Sequence, residues 1–311
     1  MSRPIGLLLD DEAVLEVIAS PSATGGIAAR TALRTAVANG VTFVVLGHRG
    51  DSTGRLVEPS VSAGELARLE TSLGVVIAAD PDRDHPYNLA RRVLSVDSLT
   101  GGRAGLLLDP AQSRTQYASA TTWAGDTSRD DVVEYADLVT TLWGTFARVA
   151  LVGDQASGLF ARSELLRRAA HDGRWKVGGG LGTPSSVQGL PPVLWWGTDA
   201  PEEADAVIVG HRSTAPARPE YLLTDVATVT RAALHDGVVI RVRGGGWPAV
   251  AAALRNAVGT TPDPGAAPLT LRNALGLPPR TADVSGLPRA FPVAPSVPAR
   301  KDTSTAQGAR A

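Results

Sequence analysis

Residues 73–108 contain two short apolar runs, LGVVIA at Leu73–Ala78 and AGLLL at Ala104–Leu108. Neither run alternates between apolar and polar residues, as a strand with one face in water would. Such continuous runs are typical of parallel strands that are covered on both faces. Further runs of this kind occur at Ile5–Leu9, Phe43–Leu46, Pro192–Trp196, Ala206–Val209, Tyr221–Leu223 and Val238–Val242. The sequence therefore predicts about eight parallel strands.

Stretches with helical periodicity separate these runs. Ile27–Asn39 is followed by a glycine, which can end a helix in the left-handed conformation. Asp131–Trp143 places its apolar residues on one face, with Ser128 as the expected N-terminal cap. A capping box is expected at Ser62 and Glu65. About eight strands interleaved with helices favour an α/β fold, a (β/α)8 TIM barrel, over a doubly wound open sheet.

The domain organisation follows from where this alternation stops. A chain of 311 residues allows one large domain or two ordinary ones, and the pattern favours a single barrel domain over residues 1–280. Two segments interrupt it: Ala111–Arg129 is polar and is expected to be a loop or lid, and His171–Pro192 is rich in glycine and proline. Residues 281–311 are rich in Pro, Ala and Ser without a pattern, which predicts a disordered tail.

The composition excludes several classes of protein. With 43% hydrophobic and 20% charged residues, the chain is not a disordered one. A net charge of −1 provides no excess positive charge for nucleic acid or an anionic membrane. The absence of cysteine excludes disulfides, iron–sulfur ligation and thiolate nucleophiles. No apolar run reaches the ~20 residues of a membrane span, and the N-terminus turns acidic too early for a secretory signal. The expected location is the cytoplasm.

One motif has the pattern of a hydrolase nucleophile. Gly50–Gly54 (GDSTG) matches G-x-S-x-G and follows a predicted strand, with Ser52 as the nucleophile. That mechanism needs a helix directly after the serine, and Pro59 argues against a helix there. A polar loop is the favoured interpretation, and a serine hydrolase is the less favoured alternative.

Histidines and glycines are further candidates. His48 directly follows a strand, at the end where the active sites of barrels are built. The five histidines show no i,i+4 pair and no HExxH motif, and no metal site is predicted. Gly178–Gly182 (GGGLG) lacks the following helix of a phosphate loop. Gly244–Gly246 lies between the last strand and a helix and is the more credible phosphate contact. Trp195 and Trp196 end a strand, so they should face opposite sides of it.

Several segments, taken in order, resemble one family. His85–Arg103 (HPYNLARRVLSVDSLTGGR) is similar to the hPYxlAR…slDhlSgGR signature of the luciferase-like flavin monooxygenases. The similarity is to the branch of nitrilotriacetate monooxygenase component A and dibenzothiophene-sulfone monooxygenase. Further similar segments are Glu58–Pro59, Leu142–Trp143, His171–Trp175, Thr183–Gly189, Pro191–Gly197 and Thr270–Pro278. The resemblance covers residues 40 to 280.

The resemblance implies a TIM barrel in which reduced FMN and dioxygen oxygenate a small organic substrate. It also implies a separate flavin reductase that supplies the reduced FMN. Family members associate, so a homo-oligomer, or a hetero-oligomer with a homologue, is expected.

At the family's flavin contacts this sequence has other residue types. His48 stands in place of an aspartate, and Leu107 stands in place of an asparagine. Ala78 and Asp80 replace a threonine and a serine, and Thr198 is the one hydroxyl left where the family's phosphate-binding serines occur. Several of these replacements, such as Ala78 and Leu107, substitute apolar groups for hydrogen-bonding ones.

Two functions remain open. The first is an FMN-dependent monooxygenase with His48 near the reacting edge, as a polar contact or in proton transfer. Its expected cofactor contacts are Ala78, Asp80, Leu107, Trp195, Trp196, Thr198, Gly244 and Gly245. The second is a degenerate family member without flavin. Such a protein would be a partner subunit of a catalytic homologue or a cofactor-free enzyme with an apolar pocket.

Overall fold

The computed structural model describes residues 4–19, 26–48, 57–79, 81–82, 84–111, 127–214, 216–229, 237–257 and 270–291. Its strands are β1 (Ile5–Leu9), β2 (Val41–Leu46), β3 (Gly74–Ala78), β4 (Ala104–Leu108), β5 (Leu151–Asp154), β6 (Leu159–Ala161), β7 (His171–Asp172), β8 (Lys176–Val177), β9 (Val193–Trp196), β10 (Ala206–Val209), β11 (Glu220–Asp225) and β12 (Val238–Val242). Its helices are α1 (Asp11–Ile18), α2 (Gly26–Ala38), α3 (Pro59–Leu69), α4 (Pro86–Thr100), α5 (Arg129–Gly144), α6 (Trp247–Ala257) and α7 (Leu271–Ala274).

Strands β1–β4 and β9–β12 close into a parallel barrel, in the order β1-β12-β11-β10-β9-β4-β3-β2. The eight predicted runs form these eight strands, so the TIM barrel is confirmed and the open sheet is wrong. Side chains alternate between the two sides of the wall. Val45 and Val76 are paired neighbours inside the barrel, and Val44 and Val75 face the helices. We call the end where the strands begin the floor and the end where they finish the mouth.

Side-chain caps fix the N-termini of α5 and α3, and one of the two differs from the prediction. Ser128 caps α5 in a reciprocal capping box with Asp131, which confirms that prediction. The predicted capping box at Ser62 is wrong, because α3 begins at Pro59 and its cap is Glu58, whose carboxylate accepts the N–H of Val61. Pro59 is the first residue of this helix. Proline is tolerated there because the backbone N–H of the first helical residue has no partner within the helix.

Two crossovers of the barrel lack the helix that the (β/α)8 pattern requires. Residues 197–205, all of which the structure describes, join β9 to β10 without a helix. The described residues between β10 and β11 also form no helix. In place of a helix, Arg218 donates to the carbonyls of Pro201 and Ala204 and so ties the two connections together. No helix N-terminus therefore faces the mouth after β9.

The two irregular segments differ in how much of them the structure describes. Residues 112–126 of the predicted lid lie outside the described part. The segment 171–192 is irregular, apart from the short antiparallel pair β7–β8. An unpredicted antiparallel hairpin, β5–β6, stands outside the barrel with Leu159 and Phe160 exposed.

Part of the predicted tail packs against the domain. Arg289 forms a bridge with Arg167, and Ala290 donates its N–H to the carbonyl of Leu166. Disorder from residue 281 onwards is therefore wrong for residues 281–291, because these backbone hydrogen bonds tie them to the segment that follows the hairpin. Residues 292–311 lie outside the described part. Among the described residues, no helix has the length and apolar character needed to cross a membrane.

The floor is closed by α7 and the residues that follow it. Leu271 packs so closely on Gly74 and Gly105 that a Cβ at either glycine would lie 2.6 or 2.9 Å from its side chain. The neighbouring Arg272 is only 2% exposed and donates to both carboxylate oxygens of Asp205, at 2.9 and 3.0 Å. Such a bidentate pair is strong and directional. It fixes α7 to the start of β10.

We expect Asp205→Ala to lower the free energy of unfolding by about 3–5 kcal/mol, because it leaves the buried Arg272 guanidinium without its counter-charge. The measurement is urea unfolding followed by circular dichroism. Glu65→Ala is the matched control, since Glu65 pairs with Arg68 on an exposed helix face where ion pairs contribute little. A loss for Asp205→Ala no larger than that of the control would contradict the assigned role of the pair.

Candidate functional site

The mouth of the barrel is walled by apolar side chains. Inward-facing residues form one buried cluster that runs from the floor to the mouth, with Ala78 and Leu107 on neighbouring strands in its upper part. Trp196 and Leu223 are partly buried and pack against this cluster. The described inner residues at the mouth are therefore apolar, at the end of the barrel where TIM-barrel enzymes carry their chemistry.

His48 and Asp109 form a buried polar pair at the mouth. The Nε2 atom of His48 lies 2.8 Å from Oδ2 of Asp109, and the two side chains are 5% and 7% exposed. The other carboxylate oxygen of Asp109 accepts the N–H of Ala111 at 2.8 Å. A carboxylate with this arrangement accepts the Nε2 proton, so the neutral imidazole keeps an unprotonated Nδ1. The pair holds one tautomer of His48.

Trp196 fixes the plane of the imidazole ring. The two rings are stacked, with their centroids 4.1 Å apart and an angle of 21° between their planes. Trp195 lies on the other face of the strand. It is fully buried among the outer residues, and its Nε1–H donates to Asp199. Trp195 is therefore not placed to contact a ligand in the mouth, whereas Trp196 is.

Thr198 sits on the rim beside a carboxylate. Its side chain is exposed, and Asp199 follows it directly. Asp199 accepts a hydrogen bond from Nε of Arg129 at 2.6 Å, and this bond lowers the pKa of the Asp199 carboxyl. Asp199 therefore stays ionised at neutral pH. Its Oδ1 atom would lie 3.3 Å from a Cβ at Gly197, so the carboxylate lies against the residue that joins Trp196 to Thr198.

The backbone amides of Gly244 and Gly245 already have acceptors. Gly244 donates its N–H to Oδ2 of Asp10 at 3.2 Å, and Gly245 donates its N–H to Oε1 of Glu16 at 2.8 Å. Glu12 lies against Gly244, because a Cβ there would be 2.4 Å from its side chain. A phosphate at this place would meet three carboxylates. The expected phosphate contact at these glycines does not fit this geometry.

A bound FMN would need an apolar wall for its ring and donors for its phosphate. Trp196, Ala78 and Leu107 fit the ring. Among the described rim residues, two groups were expected to bind the phosphate. The first is the Thr198 hydroxyl, which the ionised Asp199 follows in the chain. The second is the pair of glycine amides, which already donate to carboxylates. The described residues therefore have the apolar and aromatic character that the ring of a flavin needs, and they do not fit its phosphate.

Some predicted residues lie outside the described part. These are Asp80, Ser52 with its G-x-S-x-G motif, and His235. The residues directly after β2, β4 and β11 also fall partly outside it, at 49–56, 112–126 and 230–236.

The remaining histidines and the second glycine run do not gather into a site. His85 caps α4, and burial lowers its pKa. His171 is paired with Glu134 on the outer surface, at 2.8 Å. Gly180 of the GGGLG run packs against the carbonyl of Arg167, and no helix follows this run among the described residues. Within the described ranges, no three His, Asp or Glu side chains lie close enough together to hold a metal.

A second concave region lies outside the barrel. A cleft of about 860 Å³ runs between the β5–β6 hairpin, the GGGLG run and Phe291. Its lining is mostly apolar or backbone, with Arg167 and Arg168 as the charged residues. The cleft offers no general acid or base of the kind found at the mouth, so the mouth is the better candidate for chemistry.

The sequence analysis missed Asp109. The residue directly follows the predicted strand Ala104–Leu108, as His48 follows its own strand. Because parallel strands end at the same edge of a sheet, this shared position was the available signal. His48 and Asp109 are not on adjacent strands, since β3 lies between β2 and β4, so strand order alone did not pair them.

A closed parallel barrel with an apolar mouth and a buried histidine–carboxylate pair has the architecture of a TIM-barrel enzyme. The chain is 27% identical over 184 residues to nitrilotriacetate monooxygenase component A from Aminobacter aminovorans, covering 54% of this chain and 39% of that protein. It is 30% identical over 143 residues to dibenzothiophene-sulfone monooxygenase from Rhodococcus erythropolis, covering 44% and 31%. The matches therefore span less than half the length of either relative.

The fold is similar to that of EDTA monooxygenase (EmoA) from Chelativorans sp. BNC1. The TM-score is 0.64 with 15% identity, and the match covers 89% of this chain and 99% of that one. No family model matches the chain. The two sequence relatives are nevertheless the two proteins whose branch the motifs resemble, so the resemblance stated from the motifs is confirmed as a similarity to nitrilotriacetate monooxygenase component A and dibenzothiophene-sulfone monooxygenase.

We expect Asp109→Asn to release the fixed tautomer of His48, because an amide can present either an acceptor or a donor to Nε2. The measurement is the ¹⁵N NMR spectrum of histidine-labelled protein at a pH where His48 is neutral. The wild-type protein should show Nε2 protonated and Nδ1 bare, and the variant should show a mixture. Glu134→Gln, next to the surface His171, is the matched control and should leave the His48 signals unchanged. A wild-type mixture would contradict the pairing.

Proposed function

We propose that the protein is an oxidoreductase of the luciferase-like monooxygenase type, acting on a small organic substrate at the mouth of the barrel. The relatives named above are monooxygenases. The observation that carries the proposal is the buried His48–Asp109 pair stacked on Trp196, because it places one oriented proton acceptor beside an apolar wall. No such arrangement exists elsewhere among the described residues.

His48 is the residue that handles the proton. Asp109 holds the Nε2–H, so Nδ1 takes a proton from the substrate, and the carboxylate stabilises the imidazolium that forms. Trp196 keeps the ring from rotating and covers one of its faces. The apolar side chains of Ala78 and Leu107 keep water away from the reacting atoms.

Reduced FMN is the cofactor that the resemblance implies, delivered by a separate reductase. When bound, a reduced flavin supplies the activation of dioxygen, which no side chain of this protein provides. This part of the proposal is supported by Trp196, Ala78 and Leu107, which offer apolar and aromatic surface to the flavin ring but nothing to its phosphate.

A flavin-free barrel is the second candidate, either as a partner subunit of a catalytic homologue or as a cofactor-free enzyme. The observation that favours it is the pairing of the Gly244 and Gly245 amides with carboxylates. Co-purification with a longer homologue would identify the partner subunit. A colourless, active protein without bound flavin would identify the cofactor-free enzyme.

Association with further copies and a cytoplasmic location remain predictions. The exposed Phe160 on the hairpin and the exposed Phe291 beside the cleft support association, because apolar surface of this kind is covered in many oligomers. Size-exclusion chromatography with light scattering would test it.

We expect the mouth to bind an isoalloxazine ring, and Trp196→Leu to weaken that binding about tenfold through the loss of aromatic contact. The measurement is a titration with lumiflavin, and with oxidised and reduced FMN, followed by tryptophan fluorescence and equilibrium dialysis. Trp195→Phe is the matched control, since its side chain faces away from the mouth and the substitution keeps an aromatic ring. The absence of binding at high micromolar concentrations of every ring would reject the oxidoreductase and favour the second candidate.

A further inference from the structure

We infer that the mouth takes a planar ligand without a phosphate group and discriminates against its phosphorylated form. This inference rests on the proposed function, because it assumes that the mouth is the ligand site. It concerns the class of ring compound that the site accepts. The observations that carry it are the lack of a helix after β9 and the carboxylates that lie near the described positions at which a phosphate was expected.

The first observation is the missing crossover helix. Phosphate groups are commonly bound at helix N-termini, where several unpaired N–H groups point at the anion. Residues 197–205 follow the strand that carries Trp196, and all of them are described, but they form no helix. The segment therefore offers a phosphate neither the aligned amides nor the dipole of a helix.

The second observation is the charge beside Thr198. The next residue, Asp199, carries a carboxylate whose pKa is lowered by its hydrogen bond from Arg129. Arg129 also donates to the backbone carbonyl of Asp199, so its guanidinium is already engaged. The carboxylate lies against Gly197, which precedes Thr198. A phosphate dianion at this part of the rim would meet an ionised carboxylate whose neighbouring cation is already paired.

The third observation is on the opposite side of the rim. The Gly244 and Gly245 amides, just before α6, donate to Asp10 and Glu16. The N-terminus of α6 would otherwise be a place for a phosphate to bind. Carboxylates of the protein already accept the hydrogen bonds of the amides there.

Arg241 is the one cation on the inner face of the described barrel strands. It faces inward, as Val239 two residues earlier does, and it lies in register with Asp225 of the neighbouring strand. Arg241 also has further contacts within the protein. The acidic residue in register with Arg241 lowers the net positive charge that this part of the inner face offers to a dianion.

The ring side of the mouth has the opposite character. Trp196, Ala78 and Leu107 provide apolar and aromatic surface, and His48 and Asp109 provide one hydrogen-bonding position. This combination suits an uncharged planar molecule that carries a polar edge group.

The test compares riboflavin with FMN, which share the ring and the side chain and differ by the phosphate. Binding of each oxidised compound to the full chain is measured by equilibrium dialysis at low ionic strength. We expect riboflavin to bind at least about tenfold more tightly, because the rim carboxylates repel the phosphate. The ratio should fall when salt is raised to about 0.5 M, since exposed charges are then screened within a few ångströms.

Two variants test the cause. Asp199→Asn and Glu16→Gln keep the shape and a hydrogen-bond acceptor but remove the charge, and each should tighten FMN binding several-fold while riboflavin binding stays constant. Glu164→Gln, on the exposed 163–165 turn, is the matched control and should leave the ratio unchanged.

The failures are distinguishable. FMN that binds as tightly as riboflavin would overturn the inference and leave the proposed function in place. A ratio that neither variant nor salt alters would overturn the electrostatic discrimination. If neither compound binds, the ligand site itself is wrong, and the proposed function fails together with the inference.

Discussion

The architecture depends on one buried charge at the floor of the barrel. Arg272 is almost completely shielded from water, so each of its N–H groups needs a partner inside the protein. Asp205 supplies two acceptors, and the carbonyls of Leu190 and Pro278 supply others. These partners come from the segments before β9, before β10 and after α7. The guanidinium therefore joins three parts of the chain at the floor of the barrel.

The motifs that resemble the family meet at this same floor. Gln188 donates to Asp97, and the N–H of Arg272 donates to the Oε1 atom of Gln188. Burial raises the pKa of Asp97, and its hydrogen bonds oppose that rise. Three segments recognised by their sequence thus form one hydrogen-bonded network at the floor. These segments of the resemblance contribute to the stability of the fold. For this reason the resemblance predicts the barrel better than it predicts the chemistry.

The mouth follows different constraints. Its apolar wall belongs to the core of the barrel and comes with the fold, whereas its polar groups stand on the ends of strands and on short connections. His48, Asp109 and Trp196 form a compact group suited to a ring and a proton. The helix-free connection after β9 and the carboxylates around the glycine amides make the rim unfavourable for a phosphate. The floor and the mouth share the apolar core of the barrel and differ in their polar groups.

The sequence alone determined the strands, since an apolar run buried on both faces is a local property, and it determined the Ser128 cap for the same reason. It misplaced the start of α3, because the residues around Pro59 carry two competing local signals. Only the tertiary structure decided the site. His48 and Asp109 are 61 positions apart, and Gly244 and Asp10 are 234 apart. Partners so distant become neighbours only when the barrel closes, and no local pattern of residues encodes that closure.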